Sequence, residues 1–315
     1  MSVVLRCICL TGPTACGKTD LAFELAKRIP LEIVSMDSAM VYRGLDIGTA
    51  KPSAALQAEV PHHLIDILDP SEAYSAGRFA RDAAAAISGI VARGRLPLLV
   101  GGTLLYLRAL RDGLASLPRA DEAVRRQLDA DAAATSWAIQ HERLRGVDPE
   151  AAARIAPADR QRIQRALEVY VLTGQPLSQL QRQAQVTPSF DVRTIALVPE
   201  RREDLAARIE RRFDVMVAAG LVAEVERLHA RGDLTPEMPS MRAVGYRQIW
   251  GYLDKSYDWE ETRRRAIVAT RQYAKRQLTW LRGDPRCEAW PAFAPDLIAR
   301  CVRQVTLCGG IDAKS

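Results

Sequence analysis

A chain of 315 residues that is 48% hydrophobic and 26% charged carries enough apolar material for a full buried core, which makes it a globular protein of one large domain or a core plus a smaller one. No uninterrupted apolar run approaches the roughly 18 residues of a membrane span, and the N-terminus has no charged-then-apolar signal pattern, so the cytoplasm is the expected compartment and no membrane partner is expected. The formal net charge of +6 permits a polyanionic partner without requiring one.

The first apolar run, VVLRCICL, reads as a strand with Cys7 and Cys9 on one face as small buried residues. GPTACGKT at 12–19 follows, then a helix from Thr19 whose Ala22, Leu25, Ala26 and Ile29 form a packing stripe. This is the pattern GxxxxGK[ST] between a strand and a helix, the context in which it cradles phosphate. Gly12 and Gly17 let the backbone of Gly12, Pro13, Thr14, Ala15, Cys16, Gly17, Lys18 and Thr19 curl so that its N–H groups converge on an anion. Lys18 adds a point charge, and the Thr19 hydroxyl can ligate Mg²⁺.

LEIVSMD reads as a second strand ending at Asp37, where the carboxyl ends of parallel strands meet ligand. That carboxylate suits either the metal site of a nucleotide hydrolase or a general base aimed at a second substrate. HHLIDIL predicts a further strand, 76–93 a helix, and LPLLVGG another strand whose Gly101 and Gly102 allow close backbone approach beside the Thr103 hydroxyl. Alternation of this kind predicts an α/β fold, a parallel sheet flanked by helices of the phosphate-loop type.

Composition shifts after SLPRAD. From 119 to 190 the chain reads as a helical insertion domain, with 1–118 and 191–315 forming the core; FDVRTIALVP is expected to give the sheet its last strand. The stretch 258–283 reads as one long helix on which Arg264, Arg271, Lys275 and Arg282 fall within about 40° of one another as a cationic stripe, either solvated, paired with acids, or offered to a polyanion. The six cysteines, at 7, 9, 16, 287, 301 and 308, and the four histidines, at 62, 63, 141 and 229, have neither disulfide-framework nor metal-site spacing.

GPTACGKT, SMDSAMVYRGLDIGTAKP, DPSEAYSAGRF, LPLLVGGTLLY, DRQRIQRALEVY, SMRAVGYRQIW and ATRQYAKRQLTWLR, in this order from 12 to 282, together resemble the bacterial tRNA dimethylallyltransferases. The resemblance implies transfer of a dimethylallyl group from dimethylallyl diphosphate to N6 of the adenosine immediately 3′ of the anticodon, with Mg²⁺ as cofactor and the tRNA anticodon stem-loop as partner. No obligate protein partner is evident, and a monomer is the default. It further implies that the loop 12–19 holds the donor's diphosphate with help from Arg212, that Asp37 is the catalytic base beside Lys18 and Thr19, and that Thr19 is the metal residue. RNA-contacting positions carried over are Asp37, Ser38, Ala39, Met40, Thr103, Arg125, Gln161, Arg162, Ile163, Gln164, Arg165, Arg242, Ala243, Val244, Gly245, Tyr246 and Arg247, with Arg160 adding charge. Cys16 stands where the family commonly has serine. Two other classes compete: a small-molecule kinase closing Arg160, Arg162 and Arg165 over ATP, and a non-catalytic tRNA-binding protein. The motifs outside the loop disfavour the first, and the intact Lys18, Thr19 and Asp37 the second.

Overall fold

The computed structural model describes residues 5–115, 117–183 and 190–309. Two compact units emerge, one formed by 1–111 with 189–315 and the other by 112–188.

The larger unit opens with β1 (Leu5–Thr11), α1 (Lys18–Ala26), β2 (Leu31–Ser35), α2 (Ala54–Glu59), β3 (His62–His63), α3 (Ala76–Ala92), β4 (Leu96–Gly101) and α4 (Leu104–Asp112). It resumes with β5 (Phe190–Val198), α10 (Arg202–Ala218), α11 (Leu221–His229), α12 (Tyr246–Leu253), α13 (Trp259–Arg282), β6 (Cys287–Pro291) and α14 (Leu297–Gly309). Between them lies the smaller unit of α5 (Glu122–Ala134), α6 (Trp137–Val147), α7 (Pro149–Arg154), α8 (Arg160–Thr173) and α9 (Leu177–Gln183). Among the described residues no helix is long and apolar enough to cross a membrane.

The sheet runs β3-β2-β4-β1-β5-β6 with every pair parallel. Parallel strands are buried on both faces, and β1 divides its side chains accordingly. Ile8 and Leu10 pack with Leu21 and Leu25 of α1 and Val305 of α14, whereas Cys7 and Cys9 pack with Phe79, Ile87 and Ile90 of α3 and Leu107 of α4. Burial pushes the Cys7 thiol up to about 12, so it behaves as an inert apolar filler. Because β1 leads to a helix on one face and its neighbour β4 to a helix on the other, a crevice opens between their carboxyl ends.

The long helices start where their caps dictate. Ser75 accepts the Arg78 N–H to begin α3, and Asp258 accepts the Glu261 N–H at 2.8 Å to begin α13.

Two expectations are corrected. The HHLIDIL segment joins the sheet only at His62 and His63, opposite Ile33 and Val34. Leu64 and Asp66 then take left-handed φ of 64° and 56°, which ends the pairing with β2 and turns Ile67 and Leu68 back to the Val41 carbonyl, where Leu68 makes an isolated parallel bridge with Tyr42. The last strand of the sheet is β6, not β5; its Cys287, Ala289 and Pro291 pair with Thr194, Ala196 and Val198. Of the alternatives open for the stripe on α13, pairing with acids holds in part, since Arg264 bonds both Glu261 oxygens at 2.6 Å and Arg271 lies 3.5 Å from Glu210. The Cys308 side chain lies outside the described residues.

Candidate active site

The phosphate-binding loop leaves β1 at Thr11, whose hydroxyl donates to the Gly101 carbonyl at 2.9 Å and locks the ends of β1 and β4 together. At Gly12 φ is 150°, and a Cβ there would stand 2.5 Å from the Leu197 carbonyl oxygen, so only glycine fits. Ala15 follows with φ 65°, a strained turn for a residue with a Cβ, and Arg208 from α10 secures it by donating to the Ala15 carbonyl at 2.9 Å. Lys18 Nζ lies within 3.0 Å of the Gly12 carbonyl and 2.8 Å of the Pro13 carbonyl, which holds its charge inside the loop's curl. Cys16 is buried, with Sγ 3.8 Å from that amine.

Asp37 stands just past the end of β2. Its Oδ1 accepts the N–H groups of Ala39 at 2.8 Å and Met40 at 3.3 Å, an Asx turn that fixes the carboxyl group; among the described residues Oδ2 has no hydrogen bond. The adjoining edge comes from β4. A Cβ on Gly101 would lie 2.0 Å from the Met36 carbonyl oxygen, and Thr103 beyond it accepts the Ser38 N–H at 3.1 Å and donates to the Ser38 hydroxyl at 3.3 Å. Glycine at 101 is thus what lets β2 and β4 deliver Asp37 and Thr103 side by side.

Helices α10 and α13 supply the opposite wall. Burial pushes the Tyr273 phenol up to about 12, with the negative charge of Asp37 acting in the same direction, so the phenol stays protonated at neutral pH. For Arg212, burial lowers the guanidinium's proton affinity while Asp37 and Asp20 raise it; it remains a cation facing the carboxylate, with Nη2 3.5 Å from the Thr49 carbonyl. Gln277 bridges two backbones: its Oε1 accepts the Thr14 N–H, and its Nε2 donates to the Gly102 carbonyl.

These groups enclose a cavity of about 590 Å³. Thr14, Lys18, Thr19, Asp37, Met40, Gly101, Arg208, Arg211, Arg212, Tyr273 and Gln277 line it, and Phe23, Ile33, Leu56, Ile65 and Val215 give it an apolar flank. Cations and oriented N–H groups at one point, a fixed carboxylate nearby and an apolar surface beside them suit a substrate with an anionic head and a hydrocarbon body. Among the described residues no three His, Cys, Asp or Glu side chains gather as a metal cage. The Thr19 hydroxyl in the cavity wall is an oxygen donor that suits a hard cation such as Mg²⁺, whose remaining ligands would be phosphate oxygens and water.

The other residues expected from sequence are divided. Arg242, in the turn before α12, and Arg247, in its first turn, are exposed; Ala243 and Val244 are half-buried, and Gly245 is buried with its N–H on Gln248 Oε1 at 2.8 Å. Tyr246 is wholly buried, its hydroxyl 2.5 Å from Glu224, so its side chain is a core contact and not an exposed RNA contact. In the smaller unit Ile163 is likewise wholly buried among Leu128, Leu144 and Leu167, and the same correction applies. Arg125 and Arg165 grip Glu168, which is 0% exposed: Arg125 Nε donates at 2.8 Å and Arg165 Nη1 at 2.6 Å. Burial works to raise the Glu168 pKa, but these bonds and the Asp121 N–H outweigh it and the carboxyl is held low. Gln161 and Arg162 are exposed, Gln164 bonds Asp129 at 2.8 Å, and Arg160 pairs with Asp129 at 3.0 Å while lying over the Trp137 ring.

Tyr273, Gln277, Arg208 and Glu224 are absent from the sequence expectation. The available signal was the i, i+4 spacing of Tyr273 and Gln277, which puts both on one face of α13, away from the more conspicuous charges.

Residues 40–284 match the model of the family described as IPP transferase. The chain belongs to the IPP transferase family. It is accordingly a prenyl-transferring enzyme. Curated relatives include the tRNA dimethylallyltransferases of Alkalilimnicola ehrlichii, 62% identical over 89% of both chains, and of Ralstonia pickettii, 55% identical over 95% of this chain and 94% of that one. Among solved structures, the tRNA isopentenylpyrophosphate transferase of Bacillus halodurans is 39% identical with a TM-score of 0.71 over 97% of each chain. A eukaryotic dimethylallyltransferase acting on tRNA is 28% identical with a TM-score of 0.77, covering 98% of this chain and 81% of its own. The parallel α/β core is that of the IPP transferases.

Proposed function

We propose that this chain, which as an IPP transferase family member transfers a dimethylallyl group to tRNA, takes that group from dimethylallyl diphosphate and attaches it to N6 of the adenosine 3′-adjacent to the anticodon. The observation that carries the reading is the single cavity holding Asp37, the 12–19 loop and Arg212 against an apolar flank.

The adenine amine is a weak nucleophile because its lone pair is delocalised into the ring. As the new C–N bond forms and the C1–O bond breaks, the N6 proton passes to Asp37 Oδ2, and the diphosphate departs with the electron pair. Asp37 Oδ1 stays committed to the Ala39 and Met40 N–H groups, so the base keeps its orientation throughout. The N–H groups of the loop, Lys18 and Arg212 receive the charge that develops on the leaving group; preorganised donors of this kind are each worth about 3 kcal/mol in a transition state. When Mg²⁺ is bound at the Thr19 hydroxyl it neutralises part of the same charge. Phe23 and Ile33 offer apolar surface to a carbon that gathers positive character.

The acceptor base is stacked in the anticodon loop and has to be turned out to reach a carboxylate in a crevice. Ser38 and Thr103 border Asp37 and offer hydroxyls to its edge. The exposed Arg242 and Arg247 of the larger unit, and separately Arg160 and Arg162 of the smaller one, attract backbone phosphates. This substrate makes the cytoplasm the working compartment.

The decisive test incubates the protein with an anticodon stem-loop, Mg²⁺ and dimethylallyl diphosphate without ATP, followed by nucleoside mass analysis. One dimethylallyl group on a single adenosine is expected; modification that depends on ATP would overturn the reading.

A further inference from the structure

Glu224 is a carboxylate with 1% exposure and no basic side chain paired with it among the described residues. It is satisfied by four donors. Oε2 accepts the backbone N–H of Asp46 at 3.1 Å and of Ile47 at 2.7 Å; Oε1 accepts that of Gly48 at 3.1 Å and the Tyr246 hydroxyl at 2.5 Å. Two carboxylate oxygens offer about four acceptor sites, so the group is saturated.

What it holds is a loop that faces the cavity. Three successive N–H groups converge on Glu224, and the chain then reverses: Ala50 takes φ 53°, Thr49 Oγ1 donates to the Leu45 carbonyl at 2.7 Å, and the Lys51 N–H donates to the Asp46 carbonyl at 2.9 Å. Thr49, Ala50 and Lys51 thereby line the cavity, and the Thr49 carbonyl meets Arg212 Nη2. A Cβ on Gly48 would lie 2.5 Å from the Tyr246 ring, so the two segments are also in direct contact. The stretches DIGTAKP and VGYRQ, distant in sequence, are thus one assembly with Glu224 at its centre.

We infer that Glu224 is a positioning residue for the prenyl donor: from α11 it fixes the 46–51 loop, and through the Thr49 carbonyl it sets where Arg212 meets the diphosphate. This rests on the reading that Arg212 contacts that diphosphate. A glutamine keeps the size of the side chain but puts an NH₂ in place of one oxygen; the Tyr246 hydroxyl can accept from it but the backbone N–H groups cannot, so at least one of them is left without a partner.

The test compares Glu224→Gln, Arg212→Gln and the double variant by steady-state kinetics with dimethylallyl diphosphate and a stem-loop. For Glu224→Gln the donor KM is expected to rise about tenfold and kcat to fall with it, because Arg212 also meets the charge that develops on the leaving group, while the stem-loop KM changes little. Adding it to Arg212→Gln should cost nothing further, because both act on one contact. A donor KM unmoved by Glu224→Gln but raised by Arg212→Gln overturns the positioning role alone. A donor KM unmoved by Arg212→Gln overturns the diphosphate reading beneath it. Should Glu224→Gln not fold, Tyr246→Phe removes one of the four donors, and a donor KM raised roughly threefold is expected; a lowered melting temperature with that KM unchanged marks Glu224 as structural only.

Discussion

Gln277 and Thr14 are joined across the molecule: a glutamine in the middle of α13 accepts the backbone N–H of the phosphate-binding loop at 3.0 Å while its amide donates to the Gly102 carbonyl at 2.8 Å. The curl of the loop is therefore set by a helix 263 residues away as well as by its own glycines. Gln277→Leu keeps the volume and leaves the half-buried Thr14 N–H and the buried Gly102 carbonyl without this partner. It is expected to lower the unfolding free energy by about 1–3 kcal/mol, read from urea denaturation, and to raise the donor KM as the loop loosens. Stability lost without a change in that KM would make Gln277 a packing residue only.

Asp37→Asn separates base from binding contact. The amide oxygen can still accept the Ala39 and Met40 N–H groups, so the turn survives, but an amide cannot take the N6 proton. Single-turnover transfer should slow by about 10²–10⁴-fold while stem-loop affinity stays close to that of the parent. Equal losses in rate and affinity would make Asp37 a binding residue.

In the smaller unit the arginines should part into two behaviours. Arg160 and Arg162 have exposed side chains whose partners, Asp129 and Asp159, are partly exposed too, so replacing both with glutamine costs little stability. If each meets one phosphate, the double variant should flatten the slope of log affinity against log salt by about 1.5. Arg125→Gln acts differently, because it strips a bidentate partner from the buried Glu168. Its expected signature is a lower melting temperature, with the salt slope unchanged.

The sequence is most legible where one local pattern decides the structure. GxxxxGK[ST] between a strand and a helix locates the loop, and LPLLVGG locates the edge at which Gly101 admits the Met36 carbonyl. Side chains that act across long separations are not legible in this way. Gln277 and Tyr273 gain meaning only once α13 is laid against the loop, and Glu224 only once α11 meets residues 46–48. Ile163 and Tyr246 show the reverse error: they sit inside motifs whose neighbours are exposed, yet helix periodicity turns these two inward. The strand β6 escaped notice because CEAWP is short and holds a proline, which an edge position tolerates.

Glu32, remote from the chemistry, gives a pH signature. It is buried on β2, where Arg93 donates to Oε1 at 2.9 Å and to Oε2 at 2.6 Å and His63 Nε2 lies 2.7 Å from Oε2. The Arg93 bonds, against the opposing effect of burial and with help from His63, hold its pKa at about 2, below the ordinary 4.5. A carboxyl whose folded value lies below its unfolded value stabilises the fold fully above about pH 4.5 and loses that contribution as the pH falls toward 2. Glu32→Gln abolishes this component. Because Arg93 is half exposed, the cost at pH 7 is expected to be modest, about 1–2 kcal/mol. The gap in unfolding free energy between parent and variant should then narrow steadily between pH 4.5 and pH 2, as followed by urea denaturation at several pH values. A gap that stays constant over that window would mean that the Arg93 pair does not couple Glu32 ionisation to folding.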